Sequence, residues 1–170
     1  MMQNTTLKLY SLDYNDWKTY KMALLFVVAN IVFPQICHYF GTGAVWLPIY
    51  FFTLVGAYKY GWQVGLFTAV ASPIVNSLLF GMPGAAMVPI ILIKSILLAV
   101  AAGLMAHYTK RVSLLSILAV VMSYQVLGGM AEWAMTGSLS AALQDFQLGL
   151  PGIIFQIIGG YLVIRYLLKN

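Results

Sequence analysis

Charged residues are scarce in this chain. Lysine, arginine, aspartate and glutamate make up 8% of its 170 residues, whereas 62% of the residues are hydrophobic. A soluble domain is closer to half apolar and about a quarter charged. The composition therefore excludes a soluble domain and indicates an integral membrane protein with room for one helix bundle.

Residues that bind metals or carry catalysis are also few. Cys37 is the single cysteine, which excludes an internal disulfide bond and a thiolate metal cluster. His38 and His107 are expected at opposite membrane faces, so they cannot share a metal ion. The sequence has no phosphate-binding glycine loop, no paired intramembrane carboxylates and no serine or cysteine triad. We therefore expect no metal, no cofactor and no enzymatic activity.

Apolar segments divide the chain into a series of predicted membrane crossings, since a helix spans a bilayer with about 20 mostly apolar residues. The predicted fold is an all-α integral membrane protein, with a single membrane domain over residues 1–170 and one bundle of six transmembrane helices. Residues 1–19 are expected to form a cytoplasmic tail and interfacial segment, in which Asp13 and Asp16 can cap the first helix. The six helices are predicted at about 20–39, 44–58, 62–80, 85–107, 112–135 and 150–168.

Basic residues are distributed unevenly around this predicted bundle. Eight of the nine fall on one side: Lys8, Lys18, Lys21, Lys59, Lys110, Arg111, Arg165 and Lys169. The loops on the opposite side contain none. Because lysine and arginine concentrate in cytoplasmic loops, that side is predicted to be cytoplasmic, together with both termini. Topology thus accounts for the net charge of +5, and no nucleic-acid partner is expected.

The ninth basic residue, Lys94, lies inside the fourth predicted helix, AAMVPIILIKSILLAVAAGLMAH. An ionisable group at membrane depth costs at least a few kcal/mol and usually faces a protein interior or a watery cavity. At 1.5 Å per residue, Lys94 lies roughly 14 Å below the outer end of its helix. Asn76, Gln125 and Gln156 are expected in the same outer half of the bilayer. Lys94 is therefore the main candidate for a functional site.

One face of the fifth predicted helix is polar or small. Gln125, Gly128, Gly129 and Glu132 follow an i, i+3, i+4, i+7 spacing and form a stripe that ends beside Trp133. One interpretation is an outward-facing pocket in which polar groups orient a small ligand. Its predicted substrate-binding residues are Lys94, Glu132, Trp133, Gln125, Asn76 and Gln156. In the other interpretation, Lys94 pairs with Glu132 and the amides only bond neighbouring helices.

Two stretches resemble a known family. They are LPIYFFTLVGAYKYGWQVGLFTAVASPIVNSLLFGMP (47–83) and AEWAMTGS (131–138). Both look like the substrate-binding S component of energy-coupling factor (ECF) vitamin transporters, and the resemblance covers the whole chain in architecture. It implies high-affinity capture of a vitamin or vitamin precursor from outside, by a multi-pass protein of the bacterial cytoplasmic (inner) membrane. It also implies two kinds of protein partner, a transmembrane scaffold subunit and two ATPase subunits.

The resemblance has further consequences for individual positions. The family uses the loop between helices 1 and 2 as a lid, which here corresponds to His38, Tyr39 and Phe40. Family members often dock through an alanine-xxx-alanine motif in helix 1. In this chain Ala23 and Ala29 are six residues apart, so that motif is absent.

Alternatives remain open both for the charge of the ligand and for the class of the protein. Lys94 favours a ligand with a carboxylate and an apolar or ring portion, such as biotin, lipoate or pantothenate. A cationic vitamin such as thiamine, bound by Glu132 and Trp133 through a cation–π contact, is the alternative. The rival classes are a structural membrane protein of the cell-shape machinery, which needs no small ligand, and a small membrane enzyme.

Overall fold

The computed structural model describes residues 12–169, with side chains as far as residue 167. Lys8, most of the predicted tail and the side chain of Lys169 therefore lie outside the described residues. Two 3₁₀ turns, at Pro48–Tyr50 and Ala85–Met87, accompany the α-helices. In chain order the helices are α1 Trp17–Tyr39, α2 Gly43–Trp46, α3 Phe51–Tyr60, α4 Trp62–Phe80, α5 Val88–Thr109, α6 Leu114–Thr136, α7 Leu139–Ala142, α8 Gln144–Gln147 and α9 Leu150–Lys169.

Five of these helical segments are long and apolar enough to cross a membrane: Trp17–Tyr39, Trp62–Phe80, Ala85–Thr109, Leu114–Thr136 and Leu150–Leu167. The shortest has 18 residues, which at 1.5 Å per residue gives about 27 Å, close to the thickness of a bilayer core. No strand occurs between residues 12 and 169. The predicted class, an all-α multi-pass membrane protein, is confirmed.

The second predicted helix, at about 44–58, is not continuous. The structure divides this segment into α2, the 3₁₀ turn and α3, and α3 has only ten residues, or about 15 Å. The break occurs at Leu47, whose φ of 46° is left-handed, directly before Pro48. A residue that precedes proline is sterically disfavoured in the right-handed helical region, so the helix cannot run through this point. The count of six crossings stays a prediction.

Helix α3 nevertheless lies in the centre of the bundle, because eight of its ten residues are buried. A helix that begins in such an apolar setting exposes backbone N–H groups that must find partners. Asn30 of α1 supplies one: its Oδ1 accepts from the Phe52 N–H at 3.2 Å, while its Nδ2 donates to Thr53 Oγ1 at 2.9 Å. The buried amide of Asn30 therefore stabilises the start of α3 inside the bundle.

One end of the bundle brings together the start of α1, the end of α3 and the turn between α5 and α6. The backbone N–H of Leu12 donates to the Tyr60 carbonyl at 3.2 Å, and the Tyr58 hydroxyl donates to the Arg111 carbonyl at 2.7 Å. Asp16 accepts from the Lys18 N–H at 2.9 Å and caps α1, as the sequence predicts. We call this the basic end of the bundle, because Lys18, Lys59, Lys110 and Arg111 lie at these positions.

Candidate functional site

A cavity of about 340 Å³ lies at the end of the bundle opposite to the basic end. Its wall is formed by α1, the segment 43–50, the turn before α5, and helices α4, α5, α6 and α8. The lining residues are Pro34, His38, Gly43, Ala44, Leu47, Pro48, Ile49, Tyr50, Asn76, Met82, Pro83, Gly84, Met87, Ile90, Ile91, Lys94, Glu132, Gln144 and Asp145. Most of these side chains are apolar, so the few charged groups dominate the electrostatics of the cavity.

Lys94 is the centre of a buried ion-pair cluster in this cavity. It projects from the second turn of α5 and is only 3% exposed. Its Nζ donates to Glu132 Oε2 of α6 at 2.5 Å and to Asp145 Oδ2 of α8 at 2.9 Å. Two carboxylates thus compensate the cost of burying the ammonium group in apolar surroundings.

Gly128 makes room for this arrangement. A Cβ built at Gly128 would lie 2.5 Å from Cγ of Lys94, so the lysine stem passes directly over the glycine. Gly129, the next residue of the predicted stripe, has a different neighbour: its Cβ would lie 3.4 Å from the Ala142 carbonyl oxygen. The stripe on α6 therefore serves two purposes, since Gly128 accommodates Lys94 and Gly129 lies against α7.

We expect Gly128→Ala to lower the free energy of unfolding by about 1–3 kcal/mol, because the new methyl group displaces the lysine stem and its ion pairs. The measurement is unfolding in mixed micelles, followed by tryptophan fluorescence. Gly129→Ala is the matched control, with a looser contact and the same gain in helix propensity. Equal stability of the two variants would contradict the close fit of Lys94 over Gly128.

Asp145 is the residue of this cluster that was not predicted from the sequence. It lies in α8, a four-residue helix in the connection between α6 and α9, where the helical pattern is too short to predict which side chains turn inward. A signal was available, because the sequence has only four acidic residues and two of them, Asp13 and Asp16, precede the first helix. With so few carboxylates, a carboxylate in an outer loop, on the side of the bilayer where Lys94 is expected, is a candidate partner for that lysine.

Asn76 lines the cavity, as predicted, but its amide is already engaged. Its Nδ2 donates to the backbone carbonyls of Asn30 at 2.9 Å and Ser72 at 3.0 Å, and its Oδ1 accepts from Gln35 Nε2 at 3.1 Å. Within the described structure these bonds join α1 to α4. A direct role for Asn76 in binding a ligand stays a prediction.

Gln156 does not line the cavity but supports its wall. It is fully buried, accepts from the Tyr124 hydroxyl at 2.7 Å and donates to the Leu47 carbonyl at 3.5 Å. Leu47 is the left-handed residue at which the helix breaks, and it lines the cavity. Gln156 therefore fixes the backbone at the break rather than facing the cavity.

Gln125 and Trp133 lie apart from the cavity, along a separate apolar depression of about 210 Å³ between α6 and the α7–α8 loop. Trp133 is 52% exposed, and neither amide atom of the buried Gln125 has a hydrogen-bond partner among the described residues. Helix geometry explains why these two residues lie apart from the cavity. Successive helical residues differ by about 100° in direction, so Trp133 points away from Glu132. Gln125 lies seven residues before Glu132, or about 10 Å from it along the helix axis.

The three predicted lid residues do not all lie at the cavity. His38 lines the cavity, with its ring against Gly43, where a Cβ would approach the imidazole to 2.5 Å. Tyr39 is 86% exposed and Phe40 is 71% exposed, and their rings contact each other edge to face at 5.3 Å. Of the three, His38 is the one that contributes to the wall of the cavity in this structure.

The fold and the site together define a multi-pass α-helical membrane protein with a charged cavity at one end of its bundle. Comparisons of the chain with protein-family models, with curated proteins and with solved structures find no match. A functional assignment therefore depends on the chemistry of the cavity and on the resemblance described above.

Proposed function

We propose that this chain is the substrate-binding subunit of an ECF-type uptake transporter, which captures a vitamin or vitamin precursor in an outward-facing cavity. The observation that carries the proposal is the buried Lys94–Glu132–Asp145 cluster on the wall of a 340 Å³ cavity. A volume of this size suits a small organic molecule, and ligand sites combine apolar walls with a few placed polar groups. The resemblance of segments 47–83 and 131–138 to S components supplies the transporter class.

A purely structural role in the cell-shape machinery accounts less well for this arrangement. Ion pairs buried between helices add little net stability compared with well-packed apolar residues. A bundle that serves only as a scaffold has no need of three charged groups beside an open space. The cavity therefore favours ligand capture over the structural alternative.

The proposal includes six membrane crossings, with segment 43–60 as the second crossing, broken at Leu47. Its two ends support this topology, since the Leu47 carbonyl meets Gln156 near the cavity while the Tyr60 carbonyl meets Leu12 at the basic end. By the positive-inside rule, the basic end faces the cytoplasm of a bacterial cell and the cavity faces outward.

We expect a cysteine at Lys110 to be shielded from a membrane-impermeant maleimide in intact cells and a cysteine at Ser140 to react. Both positions are exposed in the structure, at opposite ends of the bundle, and a Cys37→Ser background removes the native thiol. Labelling after permeabilisation is the control for reactivity at Lys110. Reaction of that position in intact cells would contradict the proposed orientation.

The remaining parts of the proposal come from the resemblance. The chain binds its ligand alone, while transport requires a transmembrane scaffold subunit and two ATPase subunits. The decisive experiment is mass spectrometry of small molecules released from the purified protein. A stoichiometric micronutrient is the expected result, and a protein that neither carries nor binds any small molecule would contradict the proposal.

A further inference from the structure

The charged groups of the cavity do not balance. Lys94 carries one positive charge, whereas Glu132 and Asp145 each carry a negative charge, so the cluster has a formal net charge of −1. Among the described lining residues there is no other lysine or arginine, and His38 is the one additional basic side chain. An uncompensated charge in a mostly apolar wall is unfavourable, and a ligand of opposite charge relieves that cost.

Lys94 is poorly placed to bind an anionic ligand. Two of its three ammonium donors are used, at 2.5 Å and 2.9 Å. A ligand carboxylate would either displace one of the resident carboxylates or bring a third negative charge to the same nitrogen. Both routes are costly, because each leaves a carboxylate without its partner in surroundings of low polarity.

The two carboxylates, in contrast, can each accept a further hydrogen bond. Lys94 contacts Oε2 of Glu132 and Oδ2 of Asp145, and the other oxygen of each side chain accepts no hydrogen bond from the described residues. The Asp145 side chain is also the most accessible of the three, at 19% exposure against 4% for Lys94 and 5% for Glu132. A donor entering the cavity therefore meets acceptors first.

Helix N-termini could favour an anion instead, since their free N–H groups and dipoles attract negative charge. The helices longer than one turn that begin at this cavity are α3, which follows the 3₁₀ turn at Pro48–Tyr50, and α5. The helices α2 and α8 also begin there, but each has only four residues and contributes little dipole. Pro48 and Pro89 each remove one donor from these first turns. In addition, Asn30 already occupies the Phe52 N–H of α3. These helix starts offer few free donors to a ligand anion.

We propose that the ligand of this cavity is a small organic cation, with a protonated amine or quaternary nitrogen that faces Asp145 and Glu132 and an apolar or ring body. The inference rests on the proposed function, because it concerns the ligand of the same cavity. Apolar contacts for the body come from Met87, Ile90 and Ile91, and Tyr50 adds an aromatic ring. It reverses the preference for a carboxylate ligand that Lys94 alone suggests.

The test measures binding by the purified full-length protein and by Asp145→Asn. The probes are thiamine and choline as cations, and biotin, lipoate and pantothenate as anions, together with any compound that mass spectrometry identifies in extracts of the protein. We expect a cation to bind, and Asp145→Asn to weaken its binding about 10- to 100-fold, because the ligand loses its coulombic attraction to one carboxylate and, where its nitrogen carries a proton, a charge-assisted hydrogen bond. Asp16→Asn is the matched control, since it makes the same change at the basic end and asparagine caps a helix equally well.

The outcomes separate the two proposals. An anionic or neutral ligand whose affinity is unchanged or increased in Asp145→Asn would overturn the cation inference and leave ligand capture intact. A protein that binds none of the probes and releases no compound would contradict the proposed function and, with it, this inference. A bound cation whose affinity does not depend on Asp145 would also overturn the inference, because the unbalanced carboxylate would then have no role.

Discussion

We expect Lys94→Met to lower the free energy of unfolding by about 3–5 kcal/mol, the cost of removing one partner from a buried ion pair. Methionine fills most of the space of the lysine stem, so the loss reports mainly on charge. Glu132 and Asp145 each lie within 3 Å of the same lysine nitrogen, and without it two carboxylates face each other in an apolar wall. Unfolding in mixed micelles, followed by tryptophan fluorescence, measures the change.

Two further variants test the physical reason. Lys94→Met combined with Glu132→Gln and Asp145→Asn removes all three charges, and we expect it to recover most of the lost stability, because no unpaired carboxylate is left. Lys110→Met removes an exposed lysine at the basic end and is expected to change stability by less than about 0.5 kcal/mol. A stability of Lys94→Met equal to that of the wild type would show that the cluster does not depend on the lysine.

The long helices could be predicted well from the sequence. The predicted bounds of α1, α4, α6 and α9 agree with the structure within three residues, and the fourth predicted helix begins with the 3₁₀ turn at Ala85. The physical reason is that a bilayer demands about 20 apolar residues in one continuous helix, which leaves a strong signal. A buried half-length helix such as α3 leaves a weaker signal, and the break before Pro48 was not predicted.

The candidate site could be predicted in part. Depth along a helix follows from counting residues, so Lys94 and Asn76 were expected in the same outer half of the bilayer, and both line the cavity together with Glu132. Direction around a helix was harder, because the bundle decides which neighbour each face meets. The Gln156 side chain, for example, donates to the Leu47 backbone carbonyl and does not line the cavity. Asp145 was not predicted, because the path of the connection between α6 and α9 depends on packing that no periodicity records; the scarcity of carboxylates was the sequence signal that pointed to it.

Gly152, near the start of α9, lies in close contact with the backbone of α2. A Cβ built at Gly152 would lie 2.5 Å from both the carbonyl carbon and oxygen of Trp46, and 2.7 Å from the Val45 oxygen. These neighbours are backbone atoms and cannot rotate away. The short helix α2 therefore lies directly on α9, and its residues Gly43 and Ala44 line the cavity.

Gly152→Ala should accordingly lower the free energy of unfolding by about 3 kcal/mol, at the upper end of overpacking effects, because α2 must move as a unit. Gly159→Ala is the matched control in the same helix: its Cβ would meet the rings of Phe155 and Phe51 at 3.3 Å, and side chains can adjust. Unfolding in mixed micelles compares the stability of the two variants. Ligand binding is a second readout: it should weaken in Gly152→Ala alone, because the displaced α2 carries part of the cavity wall. If both variants lose the same stability, the contact between α9 and the α2 backbone is looser than in the structure, and α2 does not set the shape of the cavity.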